Sequence, residues 1–113
     1  MTQEDFLEQY IFKGLTNKNE DSEITDHYFS EEEFTKILIQ TEHFGISVYE
    51  IKTILNGKPF KTVEHKTFRK KATDAKWYTR EFKNLKREQK DLLFAATYKV
   101  SKKLLARDLS ADN

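Results

Sequence analysis

The chain has 113 residues, 20 Lys/Arg against 19 Asp/Glu, and no cysteine. That length fits one ordinary domain with a modest core, and the lack of cysteine excludes disulfides, thiolate zinc sites and cysteine nucleophiles. Nine Phe, five Tyr and one Trp supply the anchors that disordered chains lack.

The net charge of +1 conceals an asymmetry. Residues 1–50 hold 12 acidic and 3 basic side chains, a balance of −9, whereas residues 51–113 hold 7 and 17, a balance of +10. Such a split points to contact with nucleic acid or a membrane surface, unless the two halves pack together and neutralise each other. The opening MTQEDFLEQY is acidic and lacks the apolar region of a signal peptide. No run approaches the roughly 20 apolar residues of a membrane span. A cytoplasmic protein without a membrane partner is expected.

In chain order, Phe6, Leu7, Tyr10 and Ile11 predict a helix over 3–13, with Thr2 as its cap and Gly14 at its end. Residues 15–29 are polar and lack a helical period, apart from a short strand expected around His27-Tyr28-Phe29. Ser30 and Glu33 make a capping box, and the glutamates at 31–33 suit the helix dipole. The helix they start buries Phe34, Ile37, Leu38 and Thr41 and ends near Phe44, before Gly45.

Residues 43–58, HFGISVYEIKTILNGK, admit two readings. Asn56-Gly57 is a hairpin signal, but Pro59 would then fall in the second strand, and the alternation needs a bulge. Alternatively, Ser47 with Glu50 caps a helix that runs to Asn56, with Gly57 and Pro59 stopping it. The helix uses more of the residues and is the expectation. Downstream, 61–63 and 67–69 read as two short strands around Glu64-His65-Lys66. Thr73 or Asp74 caps a further helix with Ala75, Tyr78, Phe82 and Leu85 on its apolar face and Trp77 beside it. Leu93, Ala96, Val100 and Leu104 recur at helical spacing, so residues 91–108 are read as helix rather than strand.

A helix, a glycine-centred turn and a second short helix form the helix-turn-helix unit. The stretch FGISVYEIKTILNGK resembles the core of bacterial helix-turn-helix DNA-binding proteins, with Ile51, Ile54 and Leu55 at the apolar places of the second helix. GKPFKTVEHKTFRKKATDAKWY is similar to the winged helices of the excisionase and MerR type, on which Pro59, Val63, Arg69, Asp74 and Trp77 can be laid. The resemblance covers residues 35–80. It implies a mainly α fold with a small β-hairpin wing, a winged helix-turn-helix over 30–80. The acidic helix and loop of 1–29 would precede it, and a helical part over 74–108 would complete the single domain. It also implies a partner, double-stranded DNA, and a mobile-element setting: conjugation, excision or transcription control.

The DNA contacts expected on this reading are Ser47, Tyr49, Lys52 and Thr53 from the second helix. Lys58, Lys61, His65, Lys66, Arg69, Lys70 and Lys71 would hold phosphates from the wing. Lys76, Arg80, Lys83, Lys86, Arg87 and Lys90 on the following helix read first as an ordinary solvated face, of which some could extend the DNA footprint. The acidic N-terminal half is a candidate surface for a protein partner. No catalytic signature is present: His27, His43 and His65 lack metal-ligand spacing, and no glycine-rich phosphate loop or nucleophile elbow occurs. A non-enzymatic protein with no metal and no cofactor is expected. The alternative is a small α+β protein-binding module, such as a toxin immunity protein or phage-encoded inhibitor, in which ISVYEIKTILNGKPFKTV is a hairpin.

Overall fold

The computed structural model describes residues 1–19, 26–68 and 70–106. It is an α+β fold. Helix α1 (Gln3–Phe6) continues as a π-helical turn, Leu7–Ile11. Then follow α2 (Glu31–Phe44), β1 (Ser47–Leu55), β2 (Lys58–Glu64), α3 (Ala75–Glu88), β3 (Leu93–Lys99) and α4 (Lys102–Ala106). The three strands form one antiparallel sheet in the order β2-β1-β3.

Helix starts follow local side-chain chemistry. Thr2 accepts a hydrogen bond from the Asp5 amide at the head of α1. Ser30 and Glu33 form the full reciprocal capping box of α2, and Gly45 ends that helix in the left-handed region at φ 65°. Asp74 caps α3 by accepting from the Lys76 amide.

The sheet corrects the expectation for 47–56, which is a strand and not a recognition helix. Asn56 and Gly57 both have positive φ, 52° and 80°, as a tight two-residue hairpin turn requires, and Leu55 pairs with Lys58 across it. The two obstacles to a hairpin are absorbed locally. Tyr49 is the extra residue where the β1–β3 register shifts, which repairs the alternation. Pro59 lies in β2, an edge strand, where its missing N–H is tolerated. A Ser47–Glu50 cap contributes only about 1 kcal/mol. Against it stands a central strand with ladders on both sides and Val48, Ile51, Thr53 and Ile54 all buried. The apolar stripe of the helix reading is divided between the two faces: Val48 and Ile51 join the main core, while Ile54 packs with Tyr28 and Ala95 on the reverse face.

Two more expectations change. Leu93–Lys99 is a strand, followed by the short α4, so the long C-terminal helix is not formed. Phe94 and Ala96 enter the main core while Ala95 and Leu93 pack on the other face, and such a two-sided apolar run looks the same in a strand and in a buried helix. The expected part beyond Ala106 lies outside the described residues. The expected hairpin around Glu64-His65-Lys66 is not formed: Lys61–Val63 belongs to β2, which pairs with β1, and His65–Thr67 is a 3₁₀ turn. The expected strand at His27-Tyr28-Phe29 survives as a single bridge, Phe29 to Phe94.

The core lies between one sheet face and the helices. Phe6, Phe29, Phe34, Ile37, Tyr78 and Phe94 are its largest fully buried side chains, each under 2% exposed. Phe34, Phe82 and Phe94 meet with ring centroids 4.9–5.4 Å apart. Gln3 clips α1 to the outer edge of β3, donating to the Tyr98 carbonyl at 3.0 Å and accepting from the Val100 amide at 2.8 Å. Helix α1 therefore sits at the β3 edge, and β2 forms the opposite edge.

Candidate nucleic-acid interface

Helix α3 buries Trp77, Tyr78, Phe82 and Leu85 and turns its other side outward. The outward side carries Lys76, Arg80, Lys83 and Arg87, all exposed. Their spacing of four, three and four residues keeps them on one line, about 16 Å long at the helical rise. None of the four has an ion-pair partner among the described residues. Lys86 differs, because its ammonium lies 4.4 Å from the Phe82 ring centroid and covers apolar surface.

Strand β2 runs beside this helix. Lys61 Nζ is 3.1 Å from Glu88 Oε2 near the helix end, and the His65 and Phe68 rings pack on Trp77 near its start at 5.5 and 5.4 Å. Lys70 and Lys71 are exposed immediately before the helix, where its N-terminal dipole adds to their positive charge. Lys58 is exposed at the hairpin turn. Lys58, Lys70 and Lys71 thus add exposed cations at the β-hairpin turn and before α3 to those of the α3 line.

The structure distributes the other sequence-expected contacts differently. Lys52, Lys61 and Lys66 each hold an acid, Asp26 at 3.0 Å, Glu88 at 3.1 Å and Glu64 at 2.9 Å. Burial works against the Lys52 charge, but its hydrogen bond to Asp26 and the nearby charges of Asp26 and Glu50 together outweigh that and raise its pKa. Thr53 is 2% exposed; its hydroxyl donates to the Lys61 carbonyl at 2.7 Å and accepts from the Lys61 amide at 3.0 Å. It mends the ladder beside the register shift between Thr53 and Ile54. Ser47 is half-buried at the start of β1, and Tyr49 is exposed at its bulge, with its ring against His65. His65 also contacts the Lys70 carbonyl through Nε2. Arg69 lies outside the described residues. The α3 line was legible as a charge pattern, but its straightness emerges only once the helix and its buried face are fixed.

Among the described residues, close ion pairs between the two halves are few. Of the four ion pairs among the described residues, only Lys52–Asp26 joins residues 1–50 to 51–113. Exposed Glu4, Asp5 and Glu8 on the α1 segment and Glu31, Glu32 and Glu42 on α2 remain an acidic counterpart. Among the described residues, no cluster of three or more His, Asp or Glu could hold a metal ion. No helix there is long and apolar enough to cross a membrane. Comparison with protein families, curated proteins and solved structures found no match.

Proposed function

We propose that this chain is a non-catalytic accessory or regulatory protein that binds double-stranded DNA through the side made by α3 and the outer edge of β2. The observation that carries this reading is the unpaired line Lys76, Arg80, Lys83 and Arg87 on one exposed face of α3. A duplex presents about one negative charge per 1.7 Å of axis, and each cation that neutralises a phosphate releases a counterion. The proposal keeps the DNA partner of the winged-helix resemblance but moves the contact from residues 47–56 to α3. A helix-turn-helix needs a helix where β1 runs, so base reading by Ser47, Tyr49, Lys52 and Thr53 is not part of the proposal. Weak sequence preference follows, because lysines and arginines on phosphates position a protein without reading bases. A mobile-element setting rests on the resemblance alone. A cytoplasmic location goes with the DNA partner.

A second reading is favoured by the hairpin at Asn56-Gly57, the arrangement expected of a small α+β protein-binding module such as an immunity protein or phage-encoded inhibitor. There the acidic residues of the α1 segment and α2 would hold the partner.

Anisotropy of a labelled random duplex separates the two. Four phosphate contacts give a salt slope near −3.6, an affinity loss of about 150-fold between 50 and 200 mM salt. Absence of binding at tens of micromolar protein in low salt would leave the protein-binding reading.

A further inference from the structure

A groove of about 560 Å³ runs between the α1 segment and α2, a size found in binding clefts. Its apolar lining is Tyr10, Ile11, Leu15, Ile39 and Phe44. Tyr10 and Phe44 join the two walls, with ring centroids 5.8 Å apart.

Ile39 is 59% exposed, the most exposed large hydrophobic side chain among the described residues. It lies on α2 away from the buried face of Phe34, Ile37, Leu38 and Thr41. A β-branched residue is also a poorer helix former than Glu, Lys or Gln, so Ile39 neither fills the core nor strengthens the helix. A lone exposed apolar side chain is ordinary, but this one also borders a second groove of about 200 Å³ between α2 and α3. It forms the ridge between two hollows.

Charge is the independent feature. Residues 1–50 hold 12 acidic side chains and only 3 basic ones. Of the three, Lys18 is bound to Glu33. The other two, Lys13 and Lys36, both line this groove and both are exposed. Neither has an ion-pair partner among the described residues. No described Asp or Glu lines the groove. It is a cationic, apolar island in an acidic half. One wall comes from the π-helical turn, which supplies Gln9, Tyr10 and Ile11, and such turns are rare and recur at functional sites.

We infer that this groove docks an acidic amphipathic segment of a protein partner, with its apolar side chains on Tyr10, Ile39 and Phe44 and its carboxylates on Lys13 and Lys36. An apolar groove takes the i, i+3, i+4, i+7 face of a helix, and the flanking cations select acids beside that face. A partner held by the surrounding glutamates would be basic instead. The site is independent of the DNA reading, since no residue of the α3 line borders it.

The test is anisotropy of the full chain with a labelled helical peptide that carries Leu at i, i+3, i+4 and i+7 and Glu on its flanks, at about 50 mM NaCl. Saturable binding is expected, with amide shifts in ¹⁵N-labelled protein centred on Gln9, Ile39 and Gln40. A shuffled peptide of the same composition, and the same peptide with Lys in place of Glu, should each bind about tenfold more weakly. Ile39→Ala should weaken binding about five- to tenfold without lowering Tm. Lys13→Gln with Lys36→Gln should weaken it about fivefold, less so as salt rises. Lys76→Gln on α3 should leave it unchanged. Equal affinity for the shuffled or lysine peptide, wild-type affinity in either groove variant, or no saturation by about 1 mM peptide would overturn the inference. So would dimerisation in ultracentrifugation that Ile39→Ala abolishes, which would assign the groove to a second copy of the chain.

Discussion

Lys61 Nζ lies 3.1 Å from Glu88 Oε2, so a cation of the edge strand is held by the last turn of α3. Both side chains are about half exposed, and such a pair contributes no more than about 1 kcal/mol. Its larger consequence is electrostatic, because the Glu88 carboxylate offsets the Lys61 charge on the side proposed to face DNA. Glu88→Gln should therefore tighten duplex binding about two- to fivefold at low salt while leaving Tm within about 3 °C of wild type. Weaker binding in that variant would place the DNA elsewhere.

Thr53 separates the strand from the helix reading of 47–56. Its buried hydroxyl makes two bonds to the Lys61 backbone. Thr53→Val should cost about 1–3 kcal/mol in urea unfolding, because it strands that amide, and DNA affinity of the folded fraction should be unchanged. Unaltered stability with lost DNA binding is the outcome a recognition helix would give.

Acid should act on α2 through Glu33. Burial works against the Glu33 charge, yet hydrogen bonds from Lys18, Ser30 and the Thr16 amide together bring its pKa from 4.5 down to about 2. The folded state therefore binds this proton later than the unfolded chain. Its contribution is fully present above about pH 4.5 and is lost as pH falls towards 2. Glu33→Gln should lower stability at pH 7 by about 1 kcal/mol. The gap from wild type should close as pH approaches 2, measured by urea titrations across that range. A gap that persists at pH 2 would contradict the assignment.

Tyr78 is fully buried, and its hydroxyl has no partner among the described residues. Burial, with Glu42 and Asp74 adding to it, pushes its ionisation up to about 12. An unsatisfied buried hydroxyl costs about 1–3 kcal/mol, so Tyr78→Phe should be neutral or stabilising in thermal unfolding. A loss above about 1.5 kcal/mol would mean that the hydroxyl is satisfied in solution.

The sequence made the helices legible because their signals are local. Ser30 with Glu33, Gly45, and Asp74 before Ala75 mark starts and stops within one turn of chain, and each appears in the structure in that role. The sheet was harder to read because its reasons are non-local. A capping pattern at Ser47 and Glu50 competes with ladders to Lys58–Glu64 and Leu93–Lys99, neither of which is adjacent to Ser47. The bulge at Tyr49 hides the alternation further. The cationic side was half legible: lysines at 58, 70 and 71 are exposed as expected. Those at 52, 61 and 66 are occupied by acids that only tertiary contact reveals.

The central claim is that the α3 line holds DNA phosphates, and the salt dependence of duplex binding tests it most directly. Wild-type protein should give a log–log slope near −3.6, and Arg80→Gln with Lys83→Gln should flatten it by about 2 while circular dichroism stays unchanged. Equal slopes for the two proteins, or no duplex binding by the wild type in low salt, would contradict the account.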